Sequence, residues 1–166
     1  MKINLDRAEL AYKWVPAKNY HVTSAFLGEL DVLQKTTVTK KLYEIQEHLL
    51  PFDLLISGVD AFSSEREARL IYCGVQNKKS LRALVDLTRA AIGLEPDETY
   101  SPHLSIARLR NPANVRDIIS PVKRKDFFKV KINEIRLYRS RLTGPFPIYE
   151  ILEKIEFKKN EISQSF

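Results

Sequence analysis

Cysteine is nearly absent from this 166-residue chain, which has one, Cys73. A single thiol excludes an internal disulfide framework and any cysteine-rich zinc site. Set in the apolar run Leu70 to Val75, it reads as a small buried hydrophobe. Glycine is also scarce, with five residues, and none forms a phosphate-cradling loop. Nor do His, Cys, Asp and Glu recur at a metal-ligand spacing, so ATP hydrolysis and metal-dependent nuclease chemistry lose support. No apolar stretch is long enough to cross a bilayer. Met1 to Tyr12 carries charges throughout and lacks an apolar signal core. The expectation is a cytoplasmic protein with no membrane association.

What is present suits one compact domain or two small lobes sharing a core. Hydrophobic residues make up 44% and charged residues 29%, ordinary for a folded domain. Lys and Arg (27) outnumber Asp and Glu (21), giving +6 and a pI of about 9.4. That excess favours polyanionic partners.

Strands and helices alternate along the chain. A short strand is expected around Lys2–Leu5, and another at Tyr20–Gly28, rich in β-branched and aromatic residues. Val38, Leu42, Ile45 and Leu49 share one helical face, predicting a helix over Thr36–Leu50 that Pro51 ends. Phe52–Val59 and Arg69–Val75 read as a hairpin around a charged turn. Lys79–Ile92 reads as a second helix with Gly93 as its C-cap. Pro102–Leu109 is a strand, Asn111–Ile119 a short helical segment, and Phe128–Ile132 and Ile135–Arg141 are strands. Ile148–Phe157 fits a strand or a helix, and a polar tail follows from Lys158. The strand bearing His-x-Thr and the strand bearing His-x-Ser form a loose internal echo, suggesting two similar lobes facing each other.

Only three histidines are present, and two stand two residues before a hydroxyl: His21-Val22-Thr23 and His103-Leu104-Ser105. In a strand, residues i and i+2 share a face, so each motif presents an imidazole beside a hydroxyl. Two such strands across a cleft would make a site for phosphoryl transfer without a metal. One neutral imidazole takes a proton from the nucleophile, while the other, protonated, supplies one to the leaving oxygen. The hydroxyls stabilise the non-bridging oxygens. Arg108, five residues after His103, faces the opposite way in a regular strand, and a bulge or a strand end would turn it inward to supply fixed positive charge.

The flanks of both motifs carry a resemblance. Trp14-Val15-Pro16-Ala17-Lys18-Asn19-Tyr20-His21-Val22-Thr23-Ser24-Ala25-Phe26-Leu27-Gly28-Glu29 resembles the first motif of the 2H phosphoesterases. Within them it is similar to the RNA 2′,3′-cyclic phosphodiesterases, also called 2′-5′ RNA ligases. Ser101-Pro102-His103-Leu104-Ser105-Ile106-Ala107-Arg108 resembles the second motif. The similarity continues through Phe62-Ser63-Ser64, Arg69–Val75 and Leu142–Glu150, and covers nearly everything from Lys13 to Phe157.

The resemblance implies an α+β fold formed by the whole chain as one bilobal domain, with two antiparallel sheets lining a central cleft and helices outside. It implies hydrolysis of terminal 2′,3′-cyclic phosphates on RNA ends to 2′-phosphates with no metal or other cofactor, and reversible 2′-5′ ligation. It maps catalysis to His21 and His103, and phosphate binding to Thr23, Ser105 and Arg108. The alternatives are a nucleotide- or RNA-binding module of the same fold without turnover, and the same chemistry on a small cyclic or 2′,5′-linked nucleotide. The chain departs from the family in its start: members usually carry an apolar strand and a helix, roughly thirty more residues, before the first motif. Residues 2–5 replace that strand, a partner chain covers the open edge of an otherwise monomeric protein, or the sequence begins partway.

Further residues have two readings. Trp14 and Phe26 could stack on a base, although an aromatic beside an apolar strand is usually core, which is the expectation. His48, near a helix end, is favourable against the helix dipole. Lys123-Arg124-Lys125, with Lys129 and Lys131, is either a solvated face or a track for RNA phosphates.

Overall fold

The computed structural model describes residues 11–143 and 147–158. The expected strand at Lys2–Leu5, Gly144–Phe146 and the tail beyond Lys158 lie outside the described residues. Two compact units emerge, interleaved along the chain. One takes described residues 11–23, 54–78 and 101–130; the other takes 24–53, 79–100, 131–143 and 147–158. No helix among the described residues is long and apolar enough to cross a membrane.

The first unit is built on a five-stranded sheet of order β1-β4-β3-β2-β5. Its strands are β1 (Tyr12–Trp14), β2 (Phe52–Phe62), β3 (Ala68–Gln76), β4 (His103–Ala113) and β5 (Asp126–Ile132). The hairpin of β2 and β3 is antiparallel, as its patterning predicts. Alternation along β3 is plain: Ile71, Cys73 and Val75 are buried, while Leu70, Tyr72 and Gly74 are half-buried. Burial pushes the Cys73 thiol up to about 12, so it stays protonated and inert.

The second unit holds α1 (Val32–Glu44), nearly all of α2 (Lys78–Ala91), and a hairpin of β6 (Glu134–Arg141) and β7 (Ile148–Glu156). The ambiguous C-terminal segment is therefore a strand, paired antiparallel with β6 from Glu134 opposite Glu156 to Arg141 opposite Ile148. Along α2, Leu81, Leu84, Val85 and Thr88 are buried on one side, and Gly93 follows at φ +77°, the left-handed C-cap conformation.

Three expectations are corrected. The first helix begins at Val32, four residues before Thr36, because Asp31 and Gln34 form a reciprocal capping box that satisfies two orphan backbone donors. It ends at Glu44, and Gln46–His48 continue as a 3-10 turn. Asn111–Ala113 extend β4 instead of opening a helix, which is confined to α3 (Arg116–Ile119). Beyond Arg110, whose amide donates to the Ala11 carbonyl, that side of β4 has no ladder partner among the described residues, and a proline is tolerated on such an edge. Tyr20–Gly28 is not a strand. Val15 donates to the Ile106 carbonyl at 2.9 Å, a 3-10 turn follows at Ala17–Asn19, and the chain runs on without ladder pairing. Residue types suited to a pleated surface do not provide a neighbouring backbone.

Gly58 sits at a register shift between β2 and β3 with φ +69°. Its amide donates to the Lys125 carbonyl, and a Cβ there would lie 2.7 Å from the Lys123 carbonyl oxygen. Gly58→Ala combines left-handed strain with a backbone clash and is expected to cost about 2 kcal/mol or more. Gly93→Ala meets open space and is expected to cost about 1 kcal/mol from φ alone. Urea unfolding of the two variants checks the order.

Candidate active site

Strand β4 carries three of the residues singled out from the sequence. His103 lies opposite Gly74 and Ser105 opposite Tyr72, so both project from the face of Leu70 and Tyr72, away from buried Leu104 and Cys73. The register then shifts: Ile71 pairs with Ala107 and Leu70 with Arg108. One extra residue, Ile106, is accommodated, and Ile106 and Ala107 are both fully buried. Alternation resumes one residue out of phase, which brings Arg108 to the face of His103 and Ser105. This bulge is the device the sequence required for Arg108 to face inward.

Around His103 stand two rings of the same sheet. Phe62 stacks on Tyr72 at 4.4 Å between centroids, and the imidazole meets the edge of the pair, 5.0 Å from Phe62 and 5.3 Å from Tyr72. Burial, with Asp60 adding to it, pushes the Tyr72 phenol above its ordinary value. Neither ring was singled out from the sequence as a site residue.

His21 and Thr23 fall in the same compact unit as β4, in the non-strand segment that follows the 3-10 turn after β1. Because β1 runs antiparallel to β4, from Leu109 toward Ala107, the chain leaves it heading for the His103 end. Tyr20, next to His21, has its phenol raised by burial and then by Cys73, the residue that pairs with Leu104. His21, Val22 and Thr23 are all half-buried. The i, i+2 argument therefore holds for His103 and Ser105 but lacks its ladder at His21 and Thr23.

The two imidazoles share one feature that residue types could not reveal. His21 Nδ1 lies 2.7 Å from the Asn19 carbonyl oxygen, and His103 Nδ1 lies 2.8 Å from the Ser101 carbonyl oxygen. A carbonyl only accepts, so each Nδ1 carries the proton and donates it to the backbone two residues earlier. Each ring plane is thereby fixed, with Nε2 the nitrogen away from that carbonyl.

Other candidates resolve differently. Phe26 is 87% exposed and Trp14 40%, so the core reading of both is corrected: Phe26 lies in the non-strand segment, and Trp14 sits on the short strand β1. Phe26 belongs to the second unit. His48 is exposed in the 3-10 turn after α1. In the basic cluster, Lys123 is ion-paired with Glu65, which Arg116 also approaches at 4.0 Å. Ser120, Pro121, Lys123, Arg124 and Lys125 line a shallow surface pocket.

Comparison with known proteins follows the two motifs. A family model described as the 2′-5′ RNA ligase superfamily matches residues 3–144, and the chain belongs to that superfamily. Curated relatives span nearly its full length. The RNA 2′,3′-cyclic phosphodiesterase of Methanothermobacter thermautotrophicus is 26% identical over 155 residues, covering 90% of this chain and 84% of its own. That of Aquifex aeolicus is 29% identical over 150 residues, covering 86% and 80%. Among solved structures, a Thermus thermophilus protein superposes with a TM-score of 0.73 at 25% identity, over 89% of this chain and 82% of its own. E. coli LigT complexed with 3′-AMP superposes at 0.69 and 19% identity over 90% and 83%, a likeness of fold.

In the neutral rings of both His21 and His103 the proton is expected on Nδ1, the less common tautomer for a free imidazole. Long-range proton–nitrogen NMR checks this: Nε2 should show the shift of an unprotonated nitrogen in both, and a protonated Nε2 in either would contradict the assignment.

Proposed function

We propose that this chain is a hydrolase that opens the terminal 2′,3′-cyclic phosphate of RNA to a 2′-phosphate, with His21 and His103 as its acid–base pair. The observation that carries the reading is the matched hydrogen bonding of the two imidazoles, each donating Nδ1–H to the carbonyl two residues earlier. Membership of the superfamily and the names of the full-length relatives support it.

In this mechanism His103 Nε2 takes a proton from water as the water oxygen attacks phosphorus. The bond from phosphorus to the 3′ oxygen breaks, and His21, protonated at both nitrogens, gives the Nε2 proton to that oxygen. The products are a 2′-phosphate and a free 3′ hydroxyl. Thr23 and Ser105 donate to the non-bridging oxygens, and Arg108 balances the charge that develops there. The imidazolium forming on His103 is stabilised through Nδ1 by the Ser101 carbonyl. With a ribose 5′ hydroxyl in place of water as the nucleophile, the same forward steps join ends through a 2′-5′ linkage and release the 3′ hydroxyl, and their reverse cleaves that linkage. The reading makes the chain a cytoplasmic enzyme, and its net charge of +6 suits a polyanionic substrate.

An RNA oligonucleotide ending in a 2′,3′-cyclic phosphate, incubated with the protein and a chelator, should yield a 2′-phosphate identified by phosphorus NMR. His21→Ala and His103→Ala should each lower turnover by about 10²–10⁴-fold. Because the pair needs one proton between them, log kcat against pH should be bell-shaped, and each variant should lose one limb. Binding without turnover in the intact, folded protein would instead identify a nucleotide- or RNA-binding module.

A further inference from the structure

On its β1 side, the sheet face that carries His103, Ser105 and Arg108 continues outward with positive charge, while its carboxylate, Asp60 opposite Tyr72, lies on the β2 side. Arg110, two residues after Arg108, projects to the same side, and its register with β1 is kept by the hydrogen bond from its amide to the Ala11 carbonyl. Lys13 lies directly opposite Arg108 in the β1–β4 ladder, so its side chain shares that face too. All three are exposed. The carboxylates that neutralise Lys123, Arg136, Arg139 and Arg141 elsewhere have no counterpart here: among the described residues, no ion pair is made by Lys13, Arg108 or Arg110. Like charges set directly opposite across a ladder are unfavourable, and an anion between them reverses the sign of that contact.

Distances along the strand suggest what the anion is. With one residue absorbed by the bulge, Arg108 lies four ladder steps from His103, about 13 Å, and Arg110 about 7 Å further. The second interval is comparable to the separation of successive phosphates in an extended single strand. Resting on the reading of His103, Ser105 and Arg108 as the cyclic-phosphate site, we propose that Lys13 and Arg110, continuing outward from Arg108, form a track for the backbone phosphates of single-stranded RNA on the 5′ side of the reacting end. The chain then prefers an oligonucleotide to a cyclic mononucleotide.

The test compares a 2′,3′-cyclic mononucleotide with a pentanucleotide ending in the same group, and the intact protein with the double variant Lys13→Gln/Arg110→Gln. The ratio of kcat/KM, oligonucleotide over mononucleotide, should fall about tenfold in the double variant, and the slope of log affinity against log salt should become shallower by about 1.4. Binding is measured separately, by anisotropy of a labelled pentanucleotide ending in a 2′-phosphate, so that loss of the track and absence of turnover are distinguishable. Weaker binding in the double variant supports the track even if no substrate is turned over. An unchanged Kd overturns it even if the protein is fully active. Lys13→Glu removes the structural alternative: it should raise the Tm by placing opposite charges across the ladder while weakening RNA binding. A rise in both would overturn the proposal.

Discussion

A β-strand shows only every second side chain to one face, and β4 must show a histidine, a hydroxyl and an arginine spaced two and then three residues apart. The extra residue at Ile106 reconciles these demands. Ile106 and Ala107 both turn into the core, and Ala107 and Arg108 after them are shifted by one position relative to β3, before a second irregularity that sets Ala113 opposite Ala68. The bulge thus commits two adjacent apolar residues to burial in order to bring a cation round to the imidazole. The sheet tolerates it because Ile71 and Cys73 on the neighbouring strand are also fully buried, so the double inward turn meets apolar surroundings. Arg110 and, across the ladder, Lys13 inherit their orientation from the same shift.

The strongly periodic elements were legible in the sequence: α2 with its glycine cap, the β2–β3 hairpin, and, in α1, the buried position of Leu42. The errors have separate physical causes. The start of α1 was readable, since Asp31 and Gln34 stand at capping-box spacing, but the exposed apolar pair Val32 and Leu33 drew no helical face. Tyr20–Gly28 has the residue types of a strand, but after the 3-10 turn at Ala17–Asn19 it forms no strand ladder among the described residues. Pro112 read as the opening of a helix, where a side of β4 without a ladder partner among the described residues made it an acceptable strand residue. His103, Ser105 and Arg108 were singled out from spacing and resemblance, and the ladder sets them on one face of β4. The carbonyls of Asn19 and Ser101 could not be, because every residue carries one. Lys13 was hidden because the ladder that sets it beside Arg108 joins segments nearly a hundred positions apart.

The protein's positive charge is unevenly spent. Lys123 and Arg116 converge on Glu65 beside the turn between β2 and β3, and Lys154 and Arg136 converge on Glu134 in the β6–β7 hairpin. Those groupings work as local fasteners, each worth little in water. Lys13 opposite Arg108 has the reverse character, a contact costing roughly 0.2–1 kcal/mol by the measure of cross-strand pairs. An unrelieved repulsion of that size is small against the stability of a domain, yet it is the kind of local conflict that folded sequences otherwise avoid and that collects at functional surfaces.

The carbonyls that hold the two imidazoles also set the electrical character of the reaction in the proposed mechanism. Many enzymes orient a histidine with a carboxylate, which suits an uncharged carbonyl substrate. A carboxylate behind either imidazole here would place a full negative charge close to a phosphodiester that already carries one, and would oppose its entry. The backbone oxygens of Asn19 and Ser101 fix the tautomer with a dipole alone. Orientation is thereby separated from net charge, and the field felt by the incoming anion is set by the charged side chains of the sheet face, Arg108 and Lys13 toward β1 and Asp60 toward β2.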